Sequence, residues 1–180
     1  MKTTPFTFIV TIFFLALSVT AFSQKTAALN SLLDSNSEFI FPQTTDKISK
    51  ALNIKPVFYE DANEERYVKW PMKTGLEMYT SPGKDHTVNE MFFVTSDNRP
   101  VVVEGLPFGL IMNKSTLQDC KTKFSKYGTK TQKMGAGSEF PGGSKLVFKK
   151  GKHYVTLQFD SKSLLKSLSL TTEVINPAVN

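Results

Sequence analysis

From residue 57 to residue 170 the chain is a succession of short strand-like runs cut by turn residues, and each half of that succession follows a capped helix. Runs this short cannot bury an apolar face alone. They must pair into a sheet and pack helices against one side of it. The expected strands of the first half are residues 57–59, 67–70, 75–80 and 90–95, separated by the acidic segment Glu60–Glu65 and by Ser81-Pro82-Gly83. Ser96-Asp97-Asn98 then turns the chain into Pro100-Val101-Val102-Val103. In the second half, strands are expected at residues 145–149, 154–159 and 164–170, with turns at Lys150-Gly151 and Asp160-Ser161-Lys162. Leu157, Phe159, and then Leu164, Leu168 and Leu170 follow the period of two expected of a half-buried antiparallel sheet.

The helices carry their own punctuation. Leu29, Leu32 and Leu33 share one helical face within residues 27–33. Thr44-Thr45-Asp46 can cap a helix that turns Ile48, Ala51 and Leu52 inward, ended by Asn53 and by Lys55-Pro56. In the second half, Ser115-Thr116-Leu117-Gln118 has the spacing of a capping box with serine and glutamine as partners. The helix it opens carries Leu117, Cys120, Phe124 and Tyr127 on one stripe and stops at Gly128.

Residues 91–103 can be laid over residues 156–165, and the two capped helices occupy corresponding places. The fold class predicted is therefore α+β: two similar lobes, each a short helix or helix pair on an antiparallel meander. The domains expected are a leader at 1–23, an N-terminal lobe at 24–104 and a C-terminal lobe at 105–180.

The turn and capped helix Gly109-Leu110-Ile111-Met112-Asn113-Lys114-Ser115-Thr116-Leu117-Gln118-Asp119, followed by a glycine and a meander, resembles the modules of the BamE-like and β-lactamase-inhibitor-protein-like superfamily, mainly over residues 105–172. That resemblance implies a non-catalytic exported module that binds proteins through its sheet and loops. The chain departs from the inhibitor protein in lacking paired cysteines and from BamE in lacking a lipidated one.

Residues 1–23 read as a secretory signal: Lys2, an apolar run from Phe6 to Leu17, and small residues Ala21 and Ser23 before a cleavage point. The run is too short to span a bilayer, which takes about 20 apolar residues. A periplasmic or secreted bacterial protein with no membrane span after cleavage is expected. Cys120 is the only cysteine, so an intramolecular disulfide is impossible. Charge is segregated: residues 24–104 hold 9 Lys+Arg against 12 Asp+Glu, and residues 105–180 hold 12 against 4. Such a distribution fits either steering toward a polyanionic or dipolar partner or lysines kept for solubility, rather than a uniform basic coat for nucleic acid.

Catalytic and metal-binding patterns are missing. His86 and His153 have no metal-ligand spacing, no serine sits in a G-x-S-x-G elbow, and the Gly135–Ser144 loop lacks the GK[ST] ending of a phosphate loop. No metal or cofactor is expected. Cys120 lies on an apolar stripe, where a thiol behaves as a small hydrophobe. Glu139 and Phe140 stand at the tip of the glycine-rich loop, Tyr67 and Trp70 alternate with Lys69, and Glu64 and Glu65 belong to the acidic turn. These six are the candidate partner-binding residues. For Trp70, core packing is the stronger expectation.

The function expected is binding of a protein partner, of the inhibitor or immunity type, blocking a secreted toxin or hydrolase that acts in the envelope. The alternatives are an envelope assembly or scaffold protein, a small hydrolase using Cys120 with a histidine such as His153, and a binder of anionic glycans.

Overall fold

The computed structural model describes residues 24–25, 27–83, 85–95 and 101–172 of the 180-residue chain. The leader, the Ser96-Asp97-Asn98 turn and Pro100 lie outside the described residues. The fold is α+β, with a large antiparallel sheet and two α-helices among the described residues. A 3-10 helix, Ala27–Leu32, precedes helix α1, Thr45–Leu52; helix α2 is Leu117–Phe124. The strands are β1 (Gln24–Lys25), β2 (Gln43–Thr44), β3 (Val57–Glu60), β4 (Arg66–Pro71), β5 (Leu76–Thr80), β6 (Thr87–Val88), β7 (Glu90–Thr95), β8 (Val103–Glu104), β9 (Lys130–Lys133), β10 (Ser144–Lys150), β11 (His153–Phe159) and β12 (Leu165–Thr171).

Eight of these form one sheet in the order β3-β4-β5-β7-β12-β11-β10-β9, every neighbouring pair antiparallel. Each half of the chain contributes a helix and then four strands of that sheet. The last sheet strands of the two halves, β7 and β12, pair along the middle from Ser167–Val94 to Thr171–Glu90. The sheet is thus continuous across both halves. Its symmetric order places β7 where β12 stands in the second half. Laying residues 91–94 over 156–159 is therefore one strand out of step, because the polar β9 (Lys-Thr-Gln-Lys) has no apolar alternation to mark it as a strand.

One face of the sheet is apolar. Trp70, Met78, Phe93, Leu168, Leu157 and Leu146 follow one another in register across six strands, and all are fully buried. Both α-helices pack on this face. In α1, Ile48 and Leu52 are buried, and the Trp70 indole N–H donates to Ser49 Oγ at 2.8 Å. In α2, Cys120 and Phe124 are buried, and the Phe124 ring stacks on Phe148 of β10 at 4.4 Å.

Capping follows the residue chemistry with one correction. Thr44 caps α1 by accepting from the Lys47 N–H, and Asn53 ends it in the left-handed conformation at φ 53°. At α2 the capping box lies one residue later than expected: Thr116 is the N-cap and Asp119 the reciprocal partner. Ser115 Oγ instead accepts from the Ile111 N–H at 2.9 Å, tying down the preceding turn. Aspartate reaches back to the cap as glutamine would, so the spacing was right and the frame was wrong. Gly128 closes the following 3-10 turn, Ser125–Tyr127, at φ 64°.

Candidate functional site

Strand alternation sends the residues between the core positions to the opposite face of the sheet. A second row in register crosses all eight strands there: Val57, Lys69, Tyr79, Phe92, Ser169, Thr156, Val147 and Lys130. Neither α-helix packs on this face, and its two halves differ in character.

The first half is aromatic. Tyr59 stacks on Tyr67 at 5.2 Å, and Tyr79 on Phe92 at 4.7 Å with the rings 7° from parallel. Lys69 and Glu77 form an ion pair at 2.6 Å on neighbouring strands. Burial, and then the carboxylate of Glu139, push the Tyr79 phenol up to about 12.

The second half is basic and concave. A cavity of about 640 Å³ opens over β10, β11 and β12, with Lys130, Lys145 and Lys149 around it. Thr156, Gln158 and Ser169 bring hydroxyl and amide groups to it, and Tyr127 and Tyr154 bring rings. The described residues that line it include no carboxylate. Lys149 Nζ donates to the Tyr154 hydroxyl at 3.2 Å and lies 4.8 Å from that ring's centroid, which aims one ammonium at the rim. Three lysines in one recess raise the local potential and favour anionic groups.

The expected contact residues are scattered by the fold. Trp70 is wholly enclosed in the core and offers no surface to a partner, as its aromatic bulk favoured. Phe140 is a second correction: it is buried to 2% exposure rather than standing at a loop tip. Its loop is closed by hydrogen bonds from the Gly143 N–H to the Phe140 carbonyl and from the Met134 N–H to the Gly143 carbonyl, so the aromatic ring anchors the loop. Glu139 beside it is exposed, with its carboxyl raised above the usual value by partial burial. Tyr67 donates to Glu65 Oε2 at 2.7 Å, and Glu64 occupies a left-handed turn position at φ 63°. Tyr67, Glu64 and Glu65 thus cluster at the β3–β4 hairpin, while Glu139 belongs to a separate loop.

The lysines of the cavity were missed as site residues. Their signal was present in the basic second half and in Lys145-Leu146-Val147-Phe148-Lys149, whose alternation places Lys145 and Lys149 on one face.

The Cys120 thiol is buried, and burial pushes its pKa up to about 12, opposite to the shift that arms a nucleophile. His153 lies beside Glu38, which also pairs with Lys150. Among the described residues, no group of three or more His, Cys, Asp or Glu is placed to hold a metal ion, and no helix is long and apolar enough to cross a membrane.

No protein-family model matches the chain, and no curated protein matches it. Among solved structures, it is similar to YjgB of Bacillus subtilis, a DUF4309 family protein, at 11% identity and a TM-score of 0.51, over 81% of this chain and 91% of that one. At this identity the likeness concerns the fold alone.

Proposed function

We propose that the chain is an exported, non-catalytic binding module of the inhibitor or immunity type, whose helix-free sheet face seats an acidic surface on a toxin or hydrolase acting in the envelope. The observation that carries this reading is the lysine-rimmed cavity, with Lys130, Lys145 and Lys149 around it and no carboxylate in its described lining. A broad sheet face supplies area and complementary charge supplies orientation and speed of encounter. The signal-like residues 1–23 and the resemblance to inhibitor-type tandem modules support export and protein binding.

The test is affinity capture from envelope and secreted fractions of the host, using the wild-type protein beside the triple variant Lys130→Glu, Lys145→Glu, Lys149→Glu. One stoichiometric partner held by the wild type, weakened by salt and lost with the variant, is the expected result. Its enzymatic or toxic activity should fall when the wild-type protein is added. Equal capture by both proteins would remove the cavity from the interface. Recovery of outer-membrane assembly components would favour a scaffold role.

A second reading, an anionic glycan as ligand, draws on the hydroxyl groups of Thr156 and Ser169, which line the same cavity as the rings of Tyr127 and Tyr154. Acidic oligosaccharides titrated calorimetrically against the same two proteins would distinguish it.

A further inference from the structure

The sheet ends on two edges of opposite design. β9, at one end, is Lys-Thr-Gln-Lys, fully polar, and lysine on an edge strand is a usual guard against pairing with another chain. β3, at the other end, is Val-Phe-Tyr-Glu, with no lysine, proline or bulge within the strand, and Lys55 and Pro56 stand just before it. Val57, Phe58 and Tyr59 are 51%, 63% and 41% exposed, and with Ile40 they are the large exposed hydrophobics of the described residues. Among those residues β3 has a strand partner, β4, on one side only. An unpaired apolar edge is a template for another strand.

We infer that β3 is a self-association edge, which pairs antiparallel with β3 of a second copy of this chain and joins two eight-stranded sheets into one. The occupant is identified by the edge's own chemistry. A closed pair of identical strands requires a two-fold axis normal to the sheet, which keeps like faces together. Centred on Phe58, that axis sets Phe58 opposite Phe58 of the other copy and Val57 opposite Tyr59. Phe58 then meets its own counterpart on one face of the joined sheet, and Val57 meets Tyr59 of the other copy on the opposite face. The same register sets Lys55, just before the strand, opposite Asp61, just after it, and does so twice by symmetry. Pairing β3 with the β9 edge of another copy would instead place these apolar residues against lysines, threonine and glutamine. The inference is independent of the proposed partner site, because the cavity lies over the opposite end of the sheet.

The test uses the chain expressed with its leader in an export-competent host and purified as processed there. Sedimentation equilibrium should show a monomer–dimer equilibrium. Phe58→Asp should raise the dissociation constant about 30-fold or more, the scale of a central aromatic contact. Circular dichroism should leave its fold unchanged, since Phe58 is mostly exposed. Lys55→Glu should weaken the dimer, and adding Asp61→Asn should recover it. Asparagine keeps an oxygen for the turn that Asp61 closes by accepting from the Asn63 and Glu65 N–H groups. Register is read by cross-linking. Facing residues of an antiparallel pair have Cα atoms about 4.5–5.5 Å apart, within disulfide reach. Phe58→Cys should therefore oxidise to a covalent dimer much faster than Val57→Cys. A monomer at every concentration, a dimer untouched by Phe58→Asp, or equal cross-linking at both positions would each overturn the inference.

Discussion

The indole N–H of Trp70 donates to Ser49 Oγ at 2.8 Å, and Ser49 Oγ in turn donates to the Thr45 carbonyl at 2.7 Å, so a short relay runs from near the end of β4 into the first turn of α1. Trp70 is the largest fully buried side chain described, and this bond satisfies its one polar atom. The relay fixes the helix at a set height over the apolar row of the sheet.

Removing the acceptor should therefore cost more than a surface serine does. Ser49→Ala is expected to destabilise the protein by about 1–3 kcal/mol, because the buried indole N–H is left unpaired. In a Trp70→Phe background the same serine change should cost much less. Urea unfolding of the double-mutant cycle measures the difference.

Gly143 is required by space. A Cβ built there would lie 1.9 Å from the Phe159 carbonyl oxygen and 3.0 Å from that of Phe140, both backbone atoms. Gly143→Ala must push the loop away from β11, at a cost of about 1–3 kcal/mol or more. Limited proteolysis should then cut within residues 134–143, where the wild type resists.

His153 gives the fold a pH dependence. Burial, and then the nearby Lys150, lower its pKa from 6.5, while the carboxylate of Asp34 acts in the opposite direction and Glu38 is shared with Lys150. The folded protein thus refuses a proton that the unfolded chain accepts. Stability is fully present above pH 6.5 and is lost as pH falls below it, because there the unfolded state binds more protons. Denaturant midpoints at pH 7.5 and 5.5 should differ in that sense, and His153→Gln should reduce the difference.

Cys120 should behave as a core atom. With its thiol buried and its pKa pushed up to about 12, labelling by a thiol reagent at pH 8 should be slow in the native protein and immediate in denaturant. Fast native labelling would restore the case for a nucleophilic cysteine.

Much of this architecture was legible along the chain. The strands expected at 67–70, 75–80, 90–95, 145–149 and 154–159 match β4, β5, β7, β10 and β11 to within one residue, because each is a short run rich in apolar and aromatic residues bounded by turn signals. Thr44, Asn53 and Gly128 punctuate the helices as their local chemistry demands. These are short-range effects, in which a residue and its near neighbours decide the backbone conformation.

The site was less legible for the opposite reason. Phe140 reads as a loop-tip residue because an aromatic ring inside a glycine-rich loop can be exposed or buried with equal local ease, whereas Trp70 is buried as its size favours. Lys130, Lys145 and Lys149 come together only because β9 joins β10 at the end of the sheet, and β9 has no apolar pattern to announce it. Local propensity, capping and periodicity were thus determined by the sequence alone. The joining of β7 to β12, the clear separation of a covered face from a helix-free one, and the exposure of Phe58 were decided by tertiary structure. Pairing between strands distant in sequence is a property of the whole sheet and leaves no mark on either strand by itself.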